Sequence, residues 1–247
     1  MPHAMLMNKH SQHYASLLAP VYLWMVGGMA AALERGRAEV EPLSTPGVAA
    51  PTAIDLGAGF GMHAIPLAQM GYAVTAIDSS PLLLSTLADH APGLAIQTVQ
   101  GDLIEFATYV KTAADLILCM GDTLTHLSSQ ADVATLFQRV HQALKPGGRF
   151  AASFRDYSTP RAGHDRFIPV KADDERILTC FLEYGAGHVT VHDILHERKE
   201  GTWQMKLSSY EKVMLSPAWV CESLAGLGFD VTSHVDQRGM THVLATR

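Results

Sequence analysis

The 247 residues suffice for one α/β domain with an elaboration and a sizeable core, and two full domains are not expected. A formal net charge of −6 without any Lys/Arg-rich block lacks the electrostatic footprint of a nucleic-acid binder and suits a small or cationic substrate better. Cys119, Cys180 and Cys221 are odd in number, widely spaced and free of any Cys-x-x-Cys, so they predict reduced, core-filling thiols in a cytoplasmic protein, with neither a disulfide framework nor a metal site.

Residues 1–10 carry no periodic pattern and read as a loose tail. No charged side chain occurs from Tyr14 to Leu33, a run long enough to span a bilayer or imitate an export signal. Ser16, Pro20, Gly27, Gly28 and two tyrosines interrupt it, and its positive flank is Lys9 alone, so a buried or amphipathic cap is the better expectation, with no membrane partner. Tyr14, Leu17, Leu18, Val21, Tyr22 and Met25 recur at helical spacing, broken at Pro20, and a second helical stretch runs from about Met29 to Val40. A Pro/Gly/Ser/Thr-rich linker from Pro42 to Pro51 leads onward.

The chain then reads Ala-Ile-Asp-Leu-Gly-Ala-Gly-Phe-Gly from Ala53 to Gly61 and continues helix-like to Met70. A short apolar run, an acid and glycines at alternate positions describe a buried strand turning sharply into a helix. Glycines there admit dihedrals that other residues resist, and bring main-chain N–H groups to a ligand at a helix N-terminus. The acid, Asp55, precedes the glycines, and Gly57-x-Gly59-x-Gly61 differs from the Gly-x-Gly-x-x-Gly of dinucleotide sites, which favours S-adenosylmethionine over NAD as cofactor.

Strand-like runs near 52–56, 73–78, 94–100, 114–120 and 149–154 alternate with helical patterns near 61–70, 81–90 and 131–143. Such alternation predicts right-handed crossovers, a mostly parallel sheet with helices on both faces, and a ligand beyond the carboxyl ends of the strands. Residues 155–176 read as polar and irregular, after which Arg176–Tyr184, His188–Arg198 and Trp203–Leu215 predict a three-stranded antiparallel insert. Ser216 and Pro217 open a helix ending near Gly226 or Gly228, and a hairpin over 229–236 and 241–246 closes the chain. The expected organisation is a single domain over 1–247, with an N-terminal helical cap over 11–40 and a cofactor-binding core over 48–154. A substrate-side insert over 155–215 follows, and 216–247 completes the core.

Asp78 ends the second strand-like run about 20 residues beyond the glycine loop, where a carboxylate can accept both hydroxyl hydrogens of a ribose. Asp102, in Val99-Gln100-Gly101-Asp102-Leu103, can accept from an adenine amino group while Leu103 packs on the ring, or it is ordinary turn chemistry. Met120-Gly121-Asp122-Thr123-Leu124-Thr125-His126 follows the fourth run beside the first, with His126 as candidate base or positioning group, the alternative being a cofactor contact or a turn cap. Arg155, Asp156 and Tyr157 end the fifth run; the first two can grip the carboxylate and amine of a zwitterion, or pair with each other, or cap a loop. His192 and His196 imitate a His-x-x-x-His zinc pair, but the alternation around Val189-Thr190-Val191 argues for a strand, and no metal is expected.

Taken in order, the acid-glycine loop, Asp78, Gly101-Asp102 and the Leu144-Lys145-Pro146-Gly147-Gly148 turn resemble the class I S-adenosylmethionine-dependent methyltransferases from about residue 50 to 154. The resemblance implies an α/β, Rossmann-like, seven-stranded mostly parallel sheet whose last strand is antiparallel. It implies backbone contacts to the cofactor's methionine end from Gly57 and Gly59, with Ala58, Gly61, Ser79, Met120 and Gly121 in the same cofactor site. The Gly-Asp-Thr-Leu-Thr-His-Leu loop is similar to that of the glycine N-methyltransferase-like branch, although Asp122 and Thr123 stand where that branch often has Asn and Ser. Related enzymes lay a Tyr-containing helix over the cofactor, which nominates Tyr14, Tyr22 and Trp24 to face a sulfonium, ordinary aromatic packing being the alternative. The activity so implied is methyl transfer to a small-molecule acceptor, first an amine nitrogen, by in-line displacement. A non-methyl use of the same cofactor, by cyclisation, cleavage or aminocarboxypropyl transfer, and a protein or peptide acceptor are the rival expectations.

Overall fold

In the computed structural model, which describes residues 14–44 and 47–247, the apolar runs become a seven-stranded sheet. Its strands are β1 (Thr52–Leu56), β2 (Ala73–Asp78), β3 (Ile96–Gln100), β4 (Ala114–Cys119), β5 (Leu144–Arg155), β10 (Asp230–Val235) and β11 (Met240–Thr246). They lie in the order β10-β11-β5-β4-β1-β2-β3. β1 pairs in parallel with β2 and β4, and the last strand of the chain, β11, runs antiparallel to both β5 and β10. All six residues of β4 are buried, as a central strand covered on both faces requires. The chain moves outward from β1 through β2 and β3, then returns to β4 on the other side. The crevice where the strand order reverses therefore opens beyond Leu56 and Cys119.

The helices begin where their caps dictate. In α4 (Pro81–His90) the Ser80 hydroxyl accepts from the Leu83 N–H, in α6 (Gln130–Ala143) Ser129 accepts from Asp132, and in α7 (Pro217–Ala225) Ser216 accepts from Trp219. One face of the sheet packs Leu136, Phe137, Phe150, Val220 and Leu224, and the other packs Val40, Leu67, Leu87, Leu116 and Leu118. The helix after the glycine loop, α3 (Ala64–Gln69), starts later than expected because residues 59–63 are taken up by turns.

Two elaborations flank the crevice. The N-terminal segment is a π turn (Tyr14–Leu18), a 3-10 turn (Ala19–Val21), α1 (Tyr22–Met25) and α2 (Met29–Val40). The tail expected over residues 1–10 lies outside the described residues. Among the described residues no single helix is long and apolar enough to cross a membrane. Ser16–Met25 and Met29–Leu43 reach that length only together, across an 81° bend. Leu17, Leu18 and Val21 bury themselves against Leu178 and Leu195 of the insert, contributing roughly 1.5–3 kcal/mol each. Ala19 and Ala32 pack on Phe60 and Leu83 of the core. The cap thus bridges insert and glycine loop.

The insert is four-stranded, not three-stranded: β6 (Phe167–Ala172), β7 (Arg176–Tyr184), β8 (His188–Lys199) and β9 (Thr202–Val213), all antiparallel and in that order. β6 falls inside the stretch expected to be irregular. It is an edge strand that carries Pro169 and a register shift between Pro169 and Lys171, which a pattern search reads as loop.

Candidate active site

Asp55, the penultimate residue of β1, is 1% exposed, and its Oδ2 has no hydrogen-bond partner among the described residues. Burial pushes its carboxyl up to about 6, with nearby Asp78 adding to the rise and His63 opposing it. Gly57 follows at φ +75°, and a Cβ there would stand 2.4 Å from Thr123 Cγ2, so only glycine lets that loop sit against the strand end. The N–H groups expected to face a ligand are engaged within the chain: Gly57 and Ala58 donate to the Ile77 carbonyl at 2.8 and 3.0 Å, and Gly61 donates to Ala58 at 2.9 Å. The parallel register of β1 on β2 runs one step past the strand ends, and that step takes the donors.

Asp78 stands where the spacing put it, beside this loop. Its Oδ2 accepts from Gly59 N–H and its Oδ1 from Ser80 N–H, each at 2.8 Å, and Ser79 lies exposed between them. Ser79 N–H also bonds this carboxylate, so three backbone donors hold it and leave one of its four lone-pair sites for a hydroxyl. Burial raises its carboxyl against those backbone bonds. Asp102 is exposed and its Oδ1 accepts from Ile104 N–H at 2.9 Å, while Leu103 leans on the core.

The cap reaches the loop through Tyr22, whose ring lies 5.8 Å from that of Phe60. Trp24 does not join it. Its indole N–H donates to Asp173 and its ring lies under Arg176 at 5.8 Å, so the insert holds it. The Tyr14 side chain lies outside the described residues.

Across the crevice, Met120 is buried and Gly121 N–H donates to Ser153 Oγ at 2.8 Å. Asp122 follows, left-handed at φ 73° and 7% exposed. Four donors meet it: Arg155 N–H at 2.9 Å, Thr125 Oγ1 at 3.2 Å, Tyr157 Oη at 3.1 Å, and the Lys212 ammonium from β9. Lys212 is buried between the rings of Tyr157 and Tyr210, 5.5 and 5.7 Å from their centroids. The His126 ring lies against that of Tyr210, with centroids 5.3 Å apart and planes tilted by 31°. Burial and Asp122 raise the Tyr157 phenol well above its ordinary range, so it stays a proton donor.

His126 and Tyr157 therefore converge, whereas Arg155 and Asp156 are each engaged with other groups of the chain. The Arg155 guanidinium donates to the Arg238 carbonyl at 3.1 Å, and Asp156 folds back on Ser158, accepting from its N–H at 2.8 Å and its hydroxyl at 2.6 Å. The loop-cap alternative holds for Asp156. Lys212 was not legible at all: a lysine in a β-like run reads as solvated, and only the tertiary fold buries it. His192 and His196 lie on β8, with His192 against Glu183 at 2.9 Å, and among the described residues no group of three His, Cys, Asp or Glu is placed to hold a metal.

A family model described as a methyltransferase domain matches residues 53–148. The chain is 26% identical over 106 residues to a glycine/sarcosine N-methyltransferase of Aphanothece halophytica, covering 42% of this chain and 40% of that protein. It is 30% identical over 171 residues to a cypemycin N-terminal methyltransferase of a Streptomyces species, covering 62% and 66%. The matched part thus spans 40% to 66% of the length of these curated relatives. The fold is similar to that of the CcbJ methyltransferase of Streptomyces caelestis, with a TM-score of 0.76 at 21% identity over 95% of this chain and 97% of that one. The residues fit the family's cofactor, since a buried carboxylate oxygen is orphaned at Asp55 and the Asp78 carboxylate is held beside the glycine loop by Gly59 N–H. By its matched domain over residues 53–148 and its strand order, the chain carries a methyltransferase domain of the class I S-adenosylmethionine-dependent type.

Proposed function

We propose that this protein methylates an amine nitrogen of a small molecule. The observation that carries the reading is the position of the glycine loop at the switch point, with Asp78 on one side and Thr123 pressed on Gly57 on the other. S-adenosylmethionine, when bound, supplies a methyl group on a sulfonium, which passes to the acceptor nitrogen as the carbon–sulfur bond breaks, the nitrogen then losing its proton.

The chain's own residues have three tasks in this reading. Asp78, fixed by three backbone N–H groups, accepts from a ribose hydroxyl. Asp55 offers its orphaned oxygen to a cationic group. The Asp122–Lys212–Tyr157 cluster fixes the loop from Gly121 to His126 and with it the wall of the acceptor chamber, so that alignment at contact distance supplies most of the rate. An ammonium acceptor must lose a proton before it attacks, and His126 against Tyr210 is the candidate base. An amine is supported by the relatives described as a glycine/sarcosine N-methyltransferase and a cypemycin N-terminal methyltransferase, and an oxygen acceptor by three relatives at 30%, 30% and 33% identity described as ubiquinone biosynthesis O-methyltransferases. A small acceptor is favoured by similar folds described as an amino pentose methyltransferase and a sugar N-methyltransferase.

Incubation with S-adenosylmethionine and a panel of primary amines, amino sugars and short peptides tests this. S-adenosylhomocysteine formed with an amino sugar or small amine supports the reading. Formation with peptides alone would move the acceptor to a peptide N-terminus, and methylthioadenosine would replace methyl transfer by another reaction of the cofactor.

A further inference from the structure

The insert sheet has two unlike faces. Leu178, Leu182, Val189, Val191, Leu195 and Tyr210 are buried under the cap and core. The opposite face is open and almost as apolar: Phe167 is 50% exposed, Trp203 44%, Met205 63% and Leu207 60%.

The register sets these side chains in rows. Phe167, Phe181, His192 and Ser209 form one row, and Pro169, Thr179, Ile194 and Leu207 the next. Ala172, Ile177, His196 and Met205 form a third, with Arg198 opposite Trp203 beyond them. Phe167 and Phe181 contact at 4.8 Å, and Phe181 and His192 at 5.6 Å, so the first row is a continuous aromatic ladder. Arg198 is the one formally charged member of these four rows and stands at one end, while the Arg166 guanidinium lies over Phe181 of the first row at 4.8 Å. The row beyond the other end is Glu183, Thr190 and Glu211, with Glu183 and Glu211 exposed.

We infer that this face is a self-association surface whose partner is a second copy of this chain, packed sheet on sheet about a two-fold axis that crosses the strands. Such an axis reverses one sheet on the other. It lays Arg198 of each copy over the Glu183–Glu211 row of its mate, with the apolar rows in register between them. Two copies each carrying −6 repel, and a mostly apolar contact with opposite charges at its two ends offsets that repulsion. Four rows of four strands measure about 26 Å by about 19 Å at ordinary strand spacings, so two copies bury on the order of 1,000 Å² in total. That reaches the size at which specific interfaces begin, and each face alone matches the largest patches a monomer leaves exposed.

Sedimentation velocity of the full chain over a hundredfold concentration range tests the inference. Wild type is expected at twice the 26.7 kDa chain mass. Met205→Lys with Leu207→Lys should raise the dimer dissociation constant roughly tenfold or more, with circular dichroism unchanged because both sites are exposed. Arg198→Glu should weaken the dimer, and adding Glu183→Lys and Glu211→Lys should restore it. Wild type at the single-chain mass throughout, a dimer indifferent to the lysine pair, or a single chain that pellets with phosphatidylcholine vesicles would each overturn it.

Discussion

Asp55 is an acid whose surroundings oppose its charge. Its carboxyl is raised from 3.8 to about 6, chiefly by burial, so the folded chain binds its proton more tightly than the unfolded chain does. A raised carboxyl contributes its full stability below the ordinary value, and loses that contribution as pH rises through about 6. Two units correspond to about 3 kcal/mol. Asp55→Asn is therefore expected to stabilise the ligand-free protein by up to about 3 kcal/mol at pH 8 and by nothing near pH 3, in urea melts at the two pH values. The same variant should abolish any rise in S-adenosylmethionine affinity between pH 5 and pH 7, since a cationic ligand prefers the ionised acid. Equal melts at pH 8 would contradict the assignment.

Lys212 obeys the opposite logic. A buried ion is tolerable when its partners are complete, and removing one partner strands the other at a cost of about 3–5 kcal/mol. Lys212→Met should cost that much by leaving Asp122 unpaired, and adding Asp122→Asn should recover part of it. An additive double variant in urea unfolding would mean the two groups do not depend on each other. At this scale the sequence reveals the residues whose spacing is local. Asp78 is legible because it closes a strand a fixed distance past a glycine loop. Lys212 and Asp122 are 90 residues apart, and nothing local distinguishes that lysine from a solvated one.

Elements depend on how closely they can approach. Gly36 lies inside α2 where the helix crosses the turn after the glycine loop, and a Cβ there would stand 1.9 Å from the Met62 carbonyl oxygen. His63 and Glu39 reinforce the crossing at 2.8 Å. Gly36→Ala should push the cap off the loop, costing about 1–3 kcal/mol in thermal melts and weakening cofactor binding more than a surface change does. An unchanged melting temperature with unchanged binding would separate cap from cofactor. Regular elements were legible: α2 and α4 have the bounds that periodicity and Ser80-Pro81 give them. β6 was not, because an edge strand tolerates Pro169 and polar residues that a central strand cannot.

Across the whole molecule, the sheet sets where chemistry can occur and the elaborations decide on what. The alternation of strands and helices over 52–154 was sufficient to predict the parallel core. The Asp122 cluster was not legible, because its members follow β4 and β5 or lie on β9 and meet only when the insert folds back over the crevice. The cap joins the two, resting on Phe60 with one side and on Leu178 and Leu195 with the other. Cofactor binding is accordingly expected to slow hydrogen exchange in residues 16–33 as well as in the loop from Gly57 to His63. Protection of the loop alone would show that the cap does not respond to the cofactor.

Calorimetric titration of the full chain with S-adenosylmethionine and S-adenosylhomocysteine, beside Asp78→Ala, addresses the central claim most directly. Both ligands should bind the wild type, and the variant should bind each more weakly by about 1.5–3 kcal/mol, roughly tenfold to a hundredfold, through the loss of a charge-assisted hydrogen bond to the ribose. No binding to the wild type, preferential binding of NADH, or equal affinities in wild type and variant would contradict it.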